Sequence, residues 1–267
     1  MATSIWISLL ILCVIAIVIG IIFTFYLLQE ALIFNPIRLN KAFKFHFNIP
    51  FTERWFDVGN QVSLNAIHFK VNKPKGLIFY LHGNAENVKY YGEEIQHLTE
   101  LNYDILLFDY RGFGKSDGKI KRERELQRDA KIIYHQVLEE YAENTVVIYG
   151  YSLGTGIAAR LASNNNPKAL VLETPYYNFI DLIRCHKSYL PADLITKYKF
   201  RTDRYLTDVE CPIYLFHGTE DKQIPYKSAV KLKQLHPKVK LVTIDGGTHN
   251  DLMSFDAYKE AISELLA

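Results

Sequence analysis

Residues 146–156 read V-V-I-Y-G-Y-S-L-G-T-G, and Ile157, Ala158, Ala159, Leu161 and Ala162 follow at once. A β-branched apolar run, a glycine-flanked serine and a small-residue helical pattern predict strand, sharp turn and helix, with Ser152 at the apex. A turn this tight strains the backbone at the serine, so its flanks must be small. Gly150 and Gly154 let strand and helix approach without Cβ clashes. The hydroxyl of Ser152 then projects from the top of a sheet, and the N–H of Leu153, at a helix N-terminus, points where an oxyanion would form. In that context Ser152 is a candidate nucleophile, although G-x-S-x-G by itself also occurs in ordinary turns.

The second constraint is a run of 24 uncharged positions, 5–28, broken only by Ser8, Gly20 and Thr24. A bilayer core needs about 20 apolar helical residues, so the run is long enough to span. Trp6 and Tyr26 suit the two interfaces. No Lys or Arg precedes the run and no A-x-A site follows it, which favours an uncleaved anchor over a signal peptide. Arg38, Lys41 and Lys44 follow the run, so the positive-inside rule places the rest of the chain in the cytoplasm. Residues 1–29 are therefore read as the anchor, 30–52 as a connector, and 53–267 as one catalytic domain. The aromatics of the connector (Phe34, Phe43, Phe45, Phe47, Phe51) fit either a membrane surface or the edge of the domain.

Across the chain, a formal net charge of +2 and no basic stripe argue against a nucleic-acid partner. Cys13, Cys185 and Cys211 have no metal-type spacing and read as buried, inert thiols. Residues 55–58 and 62–69 predict an antiparallel hairpin. Buried strands follow at 75–81, 105–108, 169–172, 213–216 and 239–244. Helical patterns occupy 87–100, 123–141, 226–236 and the end from about 252. Strands alternating with helices predict a mostly parallel central sheet flanked by helices, with an irregular insertion near 175–210.

In such a sheet the chemistry lies on loops leaving the carboxyl ends of the strands. His82-Gly83-Asn84 leaves one strand, offering the Asn84 N–H as a second oxyanion donor and His82 as a structural histidine. Residues 109–116 (D-Y-R-G-F-G-K-S) lack the third glycine and the helix of a phosphate loop; an Asp109–Arg111 pair holding this loop is the expectation. Asp221 and Glu220 follow a late strand, and His249 follows the last. A serine hydroxyl is a weak nucleophile until an imidazole takes its proton, and the imidazole needs a carboxylate to fix its tautomer. Ser152, Asp221 and His249 arrive in the order this chemistry takes on such sheets. Asp221 is favoured as the acid and Glu173 stands second; Asp181 and Asp251 read as surface or loop residues.

With these loops assembled, the chain resembles the α/β-hydrolase superfamily, and more narrowly its small membrane-anchored serine hydrolases of the serine-aminopeptidase-like group. The resemblance rests on L-H-G-N-A-E-N (81–87), D-Y-R-G-F-G-K-S, G-Y-S-L-G-T-G, H-G-T-E-D-K-Q-I-P (217–225) and G-G-T-H-N-D-L (246–252). It implies an α/β-hydrolase fold with a short cap near 175–210 and a catalytic triad of Ser152 as nucleophile, His249 as base and Asp221 as acid. Asn84 and Leu153 become the oxyanion donors, and no cofactor or metal is implied. Glu86 departs from the small residue common at that place, where a carboxylate either faces solvent or disfavours anionic substrates. The expected function is hydrolysis of ester or thioester acyl substrates. A serine peptidase is the alternative inside the enzyme class, and a non-catalytic binding protein of the same fold the alternative outside it.

Overall fold

A computed structural model describes residues 2–236 and 238–267; Met1, in the expected anchor, and Pro237, in the expected catalytic domain, lie outside the described residues. Helix α1 (Ala2–Ile33) is apolar and exposed almost throughout, and its stretch Ile5–Ile33 is long and apolar enough to cross a membrane. It stops where Asn35 precedes Pro36, a pair that favours extended backbone. Asn35–Pro36 form the short strand β1.

The predicted hairpin forms as β2 (Phe51–Asp57) and β3 (Ser63–Phe69), turning through Gly59, Asn60 and Gln61, all at positive φ. Then come β4 (Leu77–Leu81), β5 (Ala85–Glu86), α2 (Val88–Ile95) with a 3₁₀ turn to Leu101, and β6 (Asp104–Phe108). Helix α3 (Glu123–Val137), strand β7 (Val146–Tyr151), helix α4 (Gly154–Ala162) and strand β8 (Ala169–Glu173) follow. The insertion that reads as irregular in sequence holds three short helices: α5 (Phe179–His186), α6 (Ala192–Ile195) and α7 (Thr202–Tyr205). They are too short, and too dependent on packing against their surroundings, to leave a sustained helical period. Strand β9 (Ile213–Gly218), helix α8 (Lys227–Leu235), strand β10 (Val239–Ile244) and helix α9 (Asp256–Leu266) close the chain.

Eight strands form one sheet in the order β10-β9-β8-β7-β4-β6-β3-β2. The pairs β2–β3 and β3–β6 are antiparallel and all others in this sheet are parallel. Side chains alternate across it with period two. On β4, Leu77, Phe79 and Leu81 join the core under α3, α4 and α8, while Ile78 and Tyr80 join the core under α2 and α9. This is the α/β-hydrolase fold. The connector packs onto the domain: Phe45 is buried, and Phe47 meets Phe51 and Phe69 edge-on at 5.0 Å each.

Two sequence expectations are corrected. Arg111 pairs with Asp129 of α3, through bonds of 2.5 and 2.9 Å, and not with Asp109. Asp109 is fully buried and accepts the Val88 N–H at 2.9 Å, holding the start of α2. The loop turns at Tyr110, whose carbonyl accepts the Phe113 N–H at 2.9 Å, so the arginine takes the carboxylate that packing brings to it. Two cysteines also differ from expectation, Cys185 being half-buried and Cys13 exposed on α1, while Cys211 is buried as expected. Burial pushes the Cys211 thiol up to about 11.

Candidate active site

The turn between β7 and α4 has the geometry its residues require. Ser152 sits at φ +50°, a conformation that costs a non-glycine residue roughly 1–3 kcal/mol. Hydrogen bonds from the Ser152 N–H to the Glu173 carbonyl and from the Thr155 N–H to the Ser152 carbonyl, both 3.0 Å, hold it there. A Cβ on Gly154 would lie 2.0 Å from the Leu81 carbonyl oxygen, and one on Gly150 would lie 2.7 Å from the Ala158 Cβ. Both glycines are thus demanded by close backbone approach.

Three side chains from three loops meet at this turn. The Ser152 hydroxyl donates to His249 Nε2 at 3.0 Å, and His249 Nδ1–H donates to Asp221 Oδ2 at 2.8 Å, in the tautomer that this chain of bonds assigns. Ser152 and His249 are buried, 8% and 6% exposed. Asp221 also accepts the N–H groups of Gln223 and Ile224 at 2.8 Å each. Burial opposes ionisation of this carboxyl, but hydrogen bonds from His217 and His249 outweigh it and hold Asp221 well below the usual carboxylate range.

His217 is the partner that sequence reasoning missed. It is fully buried on β9, with Nε2 2.8 Å from the Ile224 carbonyl and 3.2 Å from Asp221 Oδ2. The signal was the four-residue step from His217 to Asp221 across a tight turn. His82 is structural, as expected: its Nδ1–H donates to the Gly83 carbonyl at 2.8 Å, and burial lowers its pKa to about 3.

Glu173 takes no part in this chain of bonds. Its backbone lies beside Ser152, but its side chain crosses to the α2/α9 face, where it accepts from the Tyr149 hydroxyl. Tyr149 in turn contacts the Tyr258 hydroxyl at 2.6 Å. Burial pushes the Glu173 carboxyl up to about 7, against the two tyrosine hydrogen bonds. Asp181 pairs with Lys231 at 2.6 Å, and Asp251 accepts the Thr248 N–H at 2.7 Å, so both serve structure.

The N–H groups of Asn84 and Leu153 donate to no group among the described residues. Asn84 is held from an unexpected quarter. Its side-chain amide donates to the carbonyl of Ile33, the last residue of α1, at 2.7 Å, and its own carbonyl accepts the Asn35 N–H at 2.8 Å. Beyond it, β5 pairs in parallel with β1. Glu86, at φ +62°, belongs to this pairing and is half-buried.

The end of α1 is fastened to the insertion as well. Gln29 donates to the Ile195 carbonyl at 2.6 Å and accepts the Lys197 N–H at 2.7 Å, while Glu30 meets Lys197 and the Tyr198 hydroxyl. Between α1 and α5 lies a cavity of about 270 Å³, lined by Phe25, Leu32, Ile33, Phe179, Leu182 and Ile195 among others. Two of its lining residues are linked to the reactive turn through a neighbour. Ile33 is bonded to Asn84, and Phe179 packs at 5.1 Å on Tyr176, whose hydroxyl donates to the Leu153 carbonyl. No grouping of three or more His, Cys, Asp or Glu suited to a metal occurs among the described residues.

Comparison with known proteins places this geometry in a lineage. The family model for serine aminopeptidase, S33, matches residues 72–199. Lysophosphatidylserine lipase ABHD12 of Danio rerio is 31% identical over 183 residues, covering 60% of this chain and 47% of that protein. The Macaca fascicularis enzyme of the same name is 32% identical over 176 residues, with 58% and 44% covered. The chain thus spans about half the length of these curated relatives. The uncharacterized protein R595 of Acanthamoeba polyphaga mimivirus is 28% identical and matches 77% of this chain and 78% of its own. Among solved structures, a Pyrococcus furiosus esterase superposes with a TM-score of 0.69 at 20% identity, covering 88% of this chain and 97% of that one. Fold, reactive turn and family match agree: the chain has the α/β-hydrolase fold and is similar to the serine-aminopeptidase-like group of that superfamily.

Proposed function

We propose that this chain is a membrane-anchored serine hydrolase that cleaves carboxylic ester or thioester bonds of acyl substrates. The observation that carries the reading is the hydrogen-bonded series Ser152–His249–Asp221, together with the Asn84 and Leu153 N–H groups, which have no acceptor among the described residues. The lipase and esterase names of the relatives support ester bonds over peptide bonds.

His249 draws the proton from Ser152 as its oxygen attacks the acyl carbon. Asp221, ionised and fixed by four donors, stabilises the imidazolium. The N–H groups of Asn84 and Leu153 meet the carbonyl oxygen as it gains negative charge. When the bond to the leaving oxygen or sulfur breaks, His249 returns the proton to it. A water then repeats the cycle on the acyl-enzyme and frees the acid and Ser152. The acyl chain runs into the apolar cavity between α1 and α5, which receives it from the bilayer side. Helix α1 is the anchor, with the domain on the cytoplasmic side.

The test is labelling of the full chain in detergent with a fluorophosphonate probe, followed by turnover of p-nitrophenyl esters. Wild type is expected to label and to hydrolyse the esters, and Ser152→Ala to do neither while keeping its melting temperature. Equal turnover by the two proteins refutes the assignment of Ser152.

A further inference from the structure

A second cavity, of about 300 Å³, lies on the other side of the reactive turn from the apolar one. Tyr80, Tyr90, Tyr91 and Tyr151 line it, together with Glu94 and Glu173, and no Lys, Arg or His is among its lining residues. The Tyr91 ring is central, with the centroids of Tyr90, Tyr151 and Tyr80 at 5.3, 6.0 and 6.4 Å. Four tyrosines around one space, with Glu94, Asp251 and Glu173 in the same lining and no cationic side chain, suit a cation. Tyr80 is 1% exposed, yet its hydroxyl makes no hydrogen bond among the described residues. Glu173, 2% exposed, adds a carboxyl beside it that carries its charge above about pH 7.

The position of the cavity says which part of a substrate it meets. Tyr151 immediately precedes Ser152, packs its ring 5.7 Å from that of His249, and bonds through its hydroxyl to Asn250 at 2.7 Å. His249 is the group that protonates the departing oxygen, so a leaving group exits on its side of Ser152. The acyl chain has its own cavity on the oxyanion side.

We propose that the tyrosine-lined cavity beside His249 binds an organic ammonium group, and that the preferred substrates carry that group on the leaving alcohol. The leaving-group role rests on the serine hydrolase reading; the ammonium site does not. In the step concerned, the acyl C–O bond breaks, the leaving oxygen takes the proton of His249, and the product is a cationic alcohol held by the tyrosine faces and Glu173. A cation over several desolvated rings gains about 2 kcal/mol or more, a factor of roughly thirty in affinity.

Two measurements on the full chain in detergent test this. Saturation-transfer NMR compares choline with its neutral isostere 3,3-dimethylbutanol. Saturable binding is expected for choline alone, weakened at least tenfold by Glu173→Gln and also by Tyr90→Ala, whose side chain is largely exposed and whose loss spares the core. Equal signals from the two alcohols, or choline binding unaffected by either substitution, overturn the proposal. The second measurement compares kcat/KM for the choline and 3,3-dimethylbutyl esters of one acyl chain. The choline ester is expected to be favoured about tenfold or more, with the ratio falling toward one in both variants. A ratio of one in wild type defeats the leaving-group role. Choline binding with neither ester cleaved keeps the cavity and refutes the hydrolase reading instead.

Discussion

Replacing Glu173 by Gln separates burial from catalysis and yields a number. The carboxyl has an ordinary value of 4.5 and is pushed up to about 7 in the folded protein, by burial against the opposing hydrogen bonds of Tyr149 and Tyr258. Between those two pH values the native chain holds a proton that the unfolded chain has released. Stability must therefore fall as pH rises from about 4.5 to about 7, and the total is about 3 kcal/mol. Glutamine cannot ionise and can still accept the Tyr149 hydroxyl, so Glu173→Gln lacks this loss. At pH 5 about 0.8 kcal/mol of this loss has already occurred, because the unfolded carboxyl is mostly ionised there. From pH 5 to pH 8 the variant should gain about 2.5 kcal/mol on wild type, a relative shift of about 5–10 °C in melting temperature for a domain of this size. Thermal unfolding of both proteins in the same detergent, from pH 5 to pH 8, measures it. Parallel profiles would mean that Glu173 is ionised in the folded state without penalty, and the account of its surroundings would be wrong. A gap that closes with rising pH would reverse the sign and refute the reasoning outright.

Two further outcomes follow from the way α1 meets the domain. Asn84→Ala keeps the backbone N–H proposed to face the oxyanion but removes the bond to the Ile33 carbonyl. kcat for a soluble ester should fall about 10- to 100-fold with little change in KM, since a small misplacement of a donor costs that much; unchanged kcat would make the bond to α1 irrelevant to catalysis. The side of the membrane is checked by adding protease to sealed cells. The domain should survive until the cells are permeabilised, and its digestion without permeabilisation would overturn the cytoplasmic assignment.

How much of this was legible in the residues divides along the distance over which each feature is decided. The turn at Ser152 could be read directly, because a β-branched run, two glycines and a small-residue helix settle it within eleven positions, and Gly154 meets Leu81 as the reading requires. The hairpin and the buried strands were visible as alternating or continuous apolar runs. The choice of Asp221 over Glu173 was readable only as a position in a loop. Its physical basis, one side chain turned toward His249 and the other to the opposite face of the sheet, belongs to strand register. The short helices after β8 left no period to read, since they are stabilised by packing on α1 and α4 more than by their own residues.

What only the tertiary structure decided joins residues far apart in the chain. Asp129 replaces Asp109 as the partner of Arg111 because α3 folds back over the loop. Asn84 is bonded to Ile33 and Gln29 to Ile195, so the apolar N-terminal helix, which in sequence is only a span, becomes a wall of the apolar cavity and a brace for the loop at Asn84. The tyrosine box draws on β4, α2, β7 and β8, four elements whose residues carry no shared pattern. Local propensity and periodicity determine which segments are strands, helices and turns. Which polar groups then complete one another is set by the order of strands in the sheet, and that order is an outcome of packing.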